Sequence, residues 1–90
     1  MRFEIIEQVE YTKSLNDLSL SPEEIEEMKE ALDWKLSRDP ESGQKVHTET
    51  ITIFYESYRL RFDEYLIIAY TIEGNTVFLQ DVRKDLSQEF

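Results

Sequence analysis

The sequence contains no cysteine, a single histidine, two glycines and two prolines. The absence of cysteine excludes disulfide bridges, thiol nucleophiles and zinc sites built on thiolates. Small secreted domains usually depend on such cross-links, so the composition favours a cytoplasmic protein. The chain also lacks the glycine spacing of a phosphate-binding loop or of a dinucleotide-binding turn.

Long hydrophobic runs are also missing. The longest apolar stretch, Tyr65–Tyr70, is far too short to cross a bilayer. Residues 1–10 alternate charged and apolar side chains and lack the apolar core of a signal peptide. We therefore expect a soluble protein without a membrane partner, and the length of 90 residues predicts one domain over residues 1–90.

Positive charge is scarce in this chain. Ten Lys and Arg residues stand against twenty Asp and Glu residues, which gives a formal net charge of −10. Domains that bind nucleic acid usually carry the opposite excess. The composition therefore predicts an acidic, well-solvated surface, on which any phosphate-binding site must be a small local cluster.

The clearest local signal is a helix over Pro22–Arg38. Ser21 and Glu24 have the spacing of a capping box, and Pro22 suits the first helical position. Pro40 ends the helix because it disfavours an α conformation in the residue before it. Apolar residues recur along the segment at helical spacing, and they are Ile25, Met28, Ala31, Leu32 and Leu36.

The rest of the chain predicts strands and one shorter helix. Arg2–Glu7 alternates as a strand does, whereas Gln8–Ser19 has helical spacing. Glu41–Thr50 is polar and contains a glycine, so we predict an exposed loop. Three further strands are predicted, with a hairpin turn at Glu73-Gly74-Asn75 between the last two, and they are Ile51–Phe62, Tyr65–Ile72 and Thr76–Val82.

The order β-α-α-β-β-β indicates an α+β fold, with two helices packed on one face of a four-stranded, mainly antiparallel sheet. Tyr65–Ile72 is apolar almost throughout, which predicts a central strand covered on both sides. The residues expected to be largely buried are Phe3, Ile5, Leu32, Trp34, Leu36, Leu60 and Ile68.

Several of these features occur together in one known family. They are the element order, the Asp39-Pro40 pair, the run YRLRFDEYLIIAY over residues 58–70, Gly74, and the Arg83-Lys84 pair after the last strand. In this combination the chain resembles the RelE/ParE superfamily of bacterial toxins, and the resemblance covers nearly the whole chain.

The resemblance implies a toxin-like component of a toxin–antitoxin pair, with an antitoxin protein as its partner. In the RelE branch it also implies ribosome-dependent mRNA cleavage, in which a 2′-hydroxyl attacks the neighbouring phosphate. Arg59 and Arg61 match the family's basic residues on the second strand, and Lys84 (or Arg83) matches a basic residue after the last strand. These cations would hold the phosphate without a cofactor or a metal.

Two positions depart from the family pattern. Leu66 stands where members often have arginine, and Phe90 stands where several have Tyr or His. Arginine cannot serve as a general base near neutral pH, and the single histidine, His47, falls in the predicted loop as an expected surface residue. Two alternatives therefore stay open, namely a non-catalytic protein-interaction module on the same fold and a ParE-like inhibitor of DNA gyrase.

Carboxylates at helical spacing raise a separate possibility, a metal or hydrolase site. Glu23, Glu27 and Glu30 lie on one face of the predicted second helix. No histidine accompanies them at the spacing that carboxylate–histidine metal sites use. We therefore predict that they form a solvated helix face.

Overall fold

The computed structural model describes residues 2–60 and 64–85 and has the predicted α+β class. The helices are α1 (Val9–Asp17) and α2 (Pro22–Arg38), followed by one 3-10 turn over Pro40–Ser42. The strands are β1 (Glu4–Glu7), β2 (Gln44–His47), β3 (Thr52–Arg59), β4 (Tyr65–Glu73) and β5 (Thr76–Lys84).

Helix α2 has the predicted bounds, and two reciprocal hydrogen bonds fix its start. The Ser21 hydroxyl accepts a hydrogen bond from the Glu24 amide at 3.1 Å, and the Glu24 carboxylate accepts one from the Ser21 amide at 2.9 Å. This reciprocal pairing satisfies amides that the helix itself leaves without partners. The predicted stripe then buries Met28, Leu32 and Leu36 against the sheet.

Two residues of α2 do not lie where the sequence predicted. Trp34 was expected in the core but is 64% exposed, and Ala31 is exposed as well. Trp34 lies two residues from both Leu32 and Leu36, and two residues rotate about 200° around a helix. The buried stripe therefore carries Trp34 to the outer side, where the Arg38 guanidinium stacks over its ring at 4.5 Å.

The sheet contains five strands in the order β1-β5-β4-β3-β2, so the predicted four-stranded sheet is wrong. The additional strand is β2, which lies within the predicted loop Glu41–Thr50 and pairs with β3. All four of its side chains are exposed, so it carries no pattern of buried residues. The central pairs are antiparallel, whereas β1 runs parallel to β5.

A tight hairpin joins the two longest strands. Glu73 pairs with Thr76, so the loop consists of Gly74 and Asn75, as predicted. Gly74 has a φ of 59°, a conformation that glycine adopts without the steric cost of a side chain. The hairpin brings β5 back beside β4, and β5 continues to Lys84, two residues further than predicted.

One hydrophobic core lies between the helices and the sheet. Tyr11 and Leu15 of α1 are buried in the same cluster as the apolar stripe of α2. The strands contribute alternate residues to this cluster, and they are Phe54, Leu66, Ile68, Tyr70, Val77, Leu79 and Val82. Burial is confirmed for Leu32, Leu36, Leu60 and Ile68, whereas Phe3 and Ile5 pack at the margin as partly buried residues.

The structure of strand β4 corrects the prediction that this strand is covered on both sides. Its residues facing the core are fully buried, whereas the alternate residues Tyr65, Ile67 and Ala69 remain partly exposed. The described helices therefore cover β4 on one side, although its sequence predicted cover on both. The apolar character of the other side needs a separate explanation.

Candidate functional site

Arg59 ends β3 at an exposed position opposite Tyr65. A groove of about 300 Å³ beside it is also lined by residues from the start of α2, among them Glu23, Glu24 and Glu27. Burial and then the carboxylates of Glu27 and Glu24 raise the pKa of the neighbouring Tyr58 hydroxyl. The surroundings of Arg59 are therefore acidic, and Tyr58 stays protonated at neutral pH.

Arg83 is held by a carboxylate on its own strand. Its Nη2 and Nε atoms donate to one oxygen of Asp81 at 2.6 and 3.1 Å. The other Asp81 oxygen accepts a hydrogen bond from the Ser14 hydroxyl at 2.6 Å. Burial alone would raise the pKa of Asp81, but these hydrogen bonds and the Arg83 charge outweigh burial and lower it. Asp81 is therefore ionised at neutral pH and compensates the charge of Arg83.

Lys84 also has an acidic neighbour, because its Nζ atom lies 3.4 Å from a carboxylate oxygen of Glu64. The register sets Lys84 opposite the buried Leu66, on the side of the sheet that faces the helices. Arg83 stands opposite Ile67 on the other side. The extension of β5 therefore places the two residues of the Arg83-Lys84 pair on opposite faces.

Three cations were predicted to form one phosphate site, and the described residues include two of them. Arg59 and Lys84 lie near the same end of the sheet, but strand alternation assigns them to opposite faces. Arg61 lies outside the described residues, as does Phe90. Arg83, which was the substitute for Lys84, is the residue that shares a face with Arg59.

His47 lies too far from Arg59 to act as a general acid or base beside it. It ends β2, and its Nδ1 atom lies 2.8 Å from the Thr52 hydroxyl at the start of β3. Thr52 and Arg59 are separated by the length of β3, about 23 Å at the usual rise per residue. His47 therefore lies at the opposite end of the sheet from Arg59.

An apolar surface lies on the side of the sheet that turns away from the helices. We call this surface the open face and define it by the apolar strand residues Ile6, Val46, Ile53, Tyr55, Tyr65, Ile67, Ala69 and Phe78. Ile6 is 37% exposed and Val46 is 40% exposed, and Ile51, beside β3, is 47% exposed. Of the large apolar side chains that are exposed in the described part of the chain, Ile6 and Val46 belong to the open face and Ile51 borders it, whereas Val9 and Trp34 lie on the helices.

A groove of about 460 Å³ runs over the centre of the open face. Its lining combines apolar residues with a few polar ones, and they are Ile51, Ile53, Tyr55, Ile67, Ala69, Thr71, Gln80, Asp81 and Arg83. Gln80 donates a hydrogen bond to the Thr71 hydroxyl at 3.0 Å, so both groups have partners without a ligand. The groove therefore offers apolar contact surface beside one hydrogen-bonded polar pair and the Asp81–Arg83 ion pair.

Sequence reasoning missed the apolar centre of the open face as a binding surface, although one signal was present. In β4 both alternating sets of residues are apolar, a pattern that is typical of strands buried on both faces. The pattern was interpreted as cover supplied by this chain. It equally fits cover supplied by another molecule.

Within residues 2–60 and 64–85, no three His, Asp or Glu side chains are grouped so that they could hold a metal ion. In the same part of the chain, no helix combines the length and the apolar character that crossing a membrane requires.

Comparisons with protein-family models, with curated proteins and with solved structures find no match to this chain. The resemblance to the RelE/ParE superfamily therefore depends on the sequence features alone. The described features that bear on function are the open face and the cations at its end.

Proposed function

We propose that this chain is a non-catalytic protein-interaction module that binds a partner through the open face. The observation that supports this proposal is the set of exposed or partly exposed apolar residues from all five strands. Soluble monomers rarely leave a large contiguous apolar surface uncovered, and such surfaces are typical of binding sites.

The described cations support a non-catalytic role. Arg83 and Lys84 each have a carboxylate within ion-pair distance, and Arg59 lies beside three glutamates. A phosphate would have to compete with these carboxylates for each cation. Cleavage also needs a group that takes up a proton near neutral pH, and His47 lies too far from Arg59 to do so.

A site-specific photo-crosslinker placed in the living cell tests the proposal. Benzoylphenylalanine in place of Ile67 should give a covalent protein adduct because it lies at the centre of the open face. The matched control places the same group at Trp34, which is more exposed but lies on the outer side of α2. Adducts at position 67 and none at position 34 support the proposal, and no adduct at position 67 contradicts it.

A toxin of the RelE/ParE type is the second candidate, and one observation favours it. Arg59 and Arg83 stand on the same face, near the same end of the sheet, where a phosphate would meet both. On this hypothesis the protein is cytoplasmic, and an antitoxin is its partner. Because the chain carries a net charge of −10, that antitoxin should be basic or should bind mainly by apolar contacts.

Induced expression with a growth readout and RNA cleavage mapping separates the two candidates. A toxin should arrest growth and cut mRNA on the ribosome, and replacing Arg59 and Arg61 with alanine should abolish both effects. Arrest without RNA cleavage would instead favour the gyrase-inhibitor alternative. Normal growth without cleavage would favour the non-catalytic module.

A further inference from the structure

We propose that the open face is the interface of a symmetric homodimer, in which the sheets of two copies pack face to face. The inference rests on the proposed function, because it uses the same surface, and it names the partner as a second copy of this chain. Four features of the described residues carry it: the extent of the apolar surface, the composition of β4, the placement of charge and the size of the face.

Apolar residues of four strands, with the polar Thr71 of β4 between them, form a row that crosses the sheet from edge to edge. Ile6 of β1 pairs with Phe78 of β5, and Phe78 pairs with Thr71 of β4. Ile53 and Thr71 line the same groove, and Ile53 pairs with Val46 at the other edge. A row of this kind across all five strands matches the inner layer of a sheet that packs on another sheet.

The composition of β4 agrees with such packing. Its residues on the open face include Tyr65, Ile67 and Ala69, where a solvated antiparallel strand would carry polar side chains. A second sheet at about 10 Å would bury these residues as the helices bury the alternate set. The dimer would then have four layers, with two sheets inside and the helices outside.

The placement of charge permits two acidic chains to meet at this face. The strand residues that the register assigns to the open side carry nearly balanced charge, namely Glu4, Glu73 and Asp81 against Arg59 and Arg83. The exposed Glu23, Glu27 and Glu30 belong to α2, where Glu23 and Glu27 also line the groove beside Arg59 at one end of the sheet. Stacked open faces would put the two α2 helices in the outer layers of the dimer, separated by two sheets about 10 Å apart, which exceeds the Debye length of about 8 Å at physiological salt.

The same placement of charge argues against a strongly basic partner at the open face. Such a partner would be drawn to the acidic outer side of α2, whereas the open face offers an apolar centre with near-neutral surroundings. Its best complement is another apolar, near-neutral surface. A two-fold rotation supplies that complement, because an isologous interface pairs one patch with itself.

The size of the face predicts a dimer of modest affinity. Five strands span about 19 Å and β4 extends about 30 Å, so the footprint is roughly 570 Å² on each copy. Standard interfaces bury about 800 Å² per partner. We therefore expect a dissociation constant on the order of micromolar, with monomer and dimer in exchange.

Sedimentation equilibrium of the full chain, from low micromolar to near-millimolar concentration, tests the proposal. The wild-type protein should shift from monomer mass to twice that mass. Ile53→Lys should raise the dissociation constant by about tenfold or more, because a buried ammonium lacks a partner in the interface. Added lysine also reduces the negative net charge, so a loss of dimer cannot be attributed to stronger repulsion.

Two further variants keep the result interpretable. Val46→Lys changes a residue that is already 40% exposed, so it should weaken the dimer even if Ile53→Lys unfolds the chain. Trp34→Lys makes the same kind of change on the outer side of α2 and should leave the dissociation constant unaltered. A wild-type protein that stays monomeric, or a dimer that Val46→Lys leaves intact, overturns the proposal.

The crosslinking experiment then shows which proposal has failed. An adduct from position 67 at twice the mass of the chain supports both the open face as a binding surface and the second copy as its occupant. An adduct of another mass keeps the binding surface and refutes the homodimer. The absence of an adduct refutes both.

Discussion

Glu56 carries a carboxylate into the core between β3 and α2, where the residue is only 8% exposed. One of its oxygens accepts a hydrogen bond from the Lys35 ammonium at 2.5 Å. The other oxygen has no hydrogen-bond partner among the residues that the structure describes. A buried charge depends on its counter-ion, so this pair determines local stability more than a surface ion pair would.

Replacing Lys35 alone should therefore lower the stability of the fold. We expect Lys35→Met to lower the free energy of unfolding by about 3 kcal/mol, because the Glu56 carboxylate would stay buried without compensation. The double variant Lys35→Met with Glu56→Leu should recover most of that loss. Urea denaturation measures both values, and equal losses in the two variants would contradict this account.

Tyr70 gives the protein a defined sensitivity to alkaline pH. Its buried hydroxyl donates a hydrogen bond to the Pro40 carbonyl at 2.6 Å. Burial, followed by the nearby carboxylate of Glu56, raises the pKa of Tyr70 from 10.0 to about 12. The folded state thus favours the neutral phenol, whose stabilising effect is complete below pH 10 and is lost as the pH rises towards 12.

Tyr70→Phe should therefore separate the effect of the hydrogen bond to Pro40 from the effect of phenol ionisation. At pH 7 it should lower the free energy of unfolding by about 1–2 kcal/mol, because the Pro40 carbonyl loses its donor. Between pH 10 and 12 the gap to the wild type should narrow, since phenylalanine does not ionise. Urea denaturation across this range measures the gap, and Tyr11, which both proteins retain, cancels in the comparison. A constant gap would contradict the assignment.

At the scale of elements, Gly43 fixes how β2 reaches the sheet. A Cβ atom at this position would lie 2.5 Å from the Tyr70 hydroxyl oxygen and 2.7 Å from the Tyr55 carbonyl oxygen. The Tyr55 oxygen belongs to β3 and cannot move independently of the sheet. Close approach between the two strands therefore requires glycine at this position.

Replacing Gly43 or Gly74 with alanine should destabilise the fold, but for different physical reasons. Gly43→Ala should destabilise the fold by about 2–3 kcal/mol through overpacking and should speed hydrogen exchange of the β2 amides. Gly74→Ala meets no atom within 4 Å, so its cost of about 1–2 kcal/mol comes from the φ of 59° alone. If Gly43→Ala proved the milder change, the steric account of β2 would be wrong.

The elements with strong local signals were predictable from the sequence. The capping box and the proline after it define α2, and the Gly74 turn defines the β4–β5 hairpin. Strand β2 has no comparable signal, because backbone pairing with β3 holds it and no side chain is buried. Trp34 was assigned to the core on its apolar character, whereas the helical period sets it opposite Leu32.

Only part of the candidate site could be predicted. Strand alternation separates Arg59 from Leu60, since Arg59 is exposed and Leu60 is buried as predicted. Lys84 does not belong to this site, because β5 continues beyond its apolar residues and places Lys84 on the side of the sheet that faces the helices. The pairing register of a strand decides on which face of the sheet each of its residues lies. That register depends on partner strands that are distant in the sequence.

At the scale of the whole molecule, negative charge is concentrated on the outer side of α2. Glu23, Glu26, Glu27 and Glu30 are all exposed within two turns of helix. Two of the pairs among them have i,i+4 spacing, at which like charges destabilise a helix by about 0.2–0.5 kcal/mol each. Together with the net charge of −10, these pairs should make the fold sensitive to ionic strength.

The melting temperature should therefore rise as sodium chloride is added from low ionic strength, since shorter screening lengths weaken the repulsion. A gain of about 1 kcal/mol would raise it by about 4–8 °C for a domain of this size. Glu30→Lys changes the net charge from −10 to −8 and should reduce the rise. Glu49→Lys, in the exposed β2–β3 connection, makes the same charge change and should reduce the rise similarly if overall repulsion dominates. A larger reduction for Glu30→Lys would locate the repulsion on α2, and a melting temperature that falls with salt would exclude net repulsion as the main electrostatic effect.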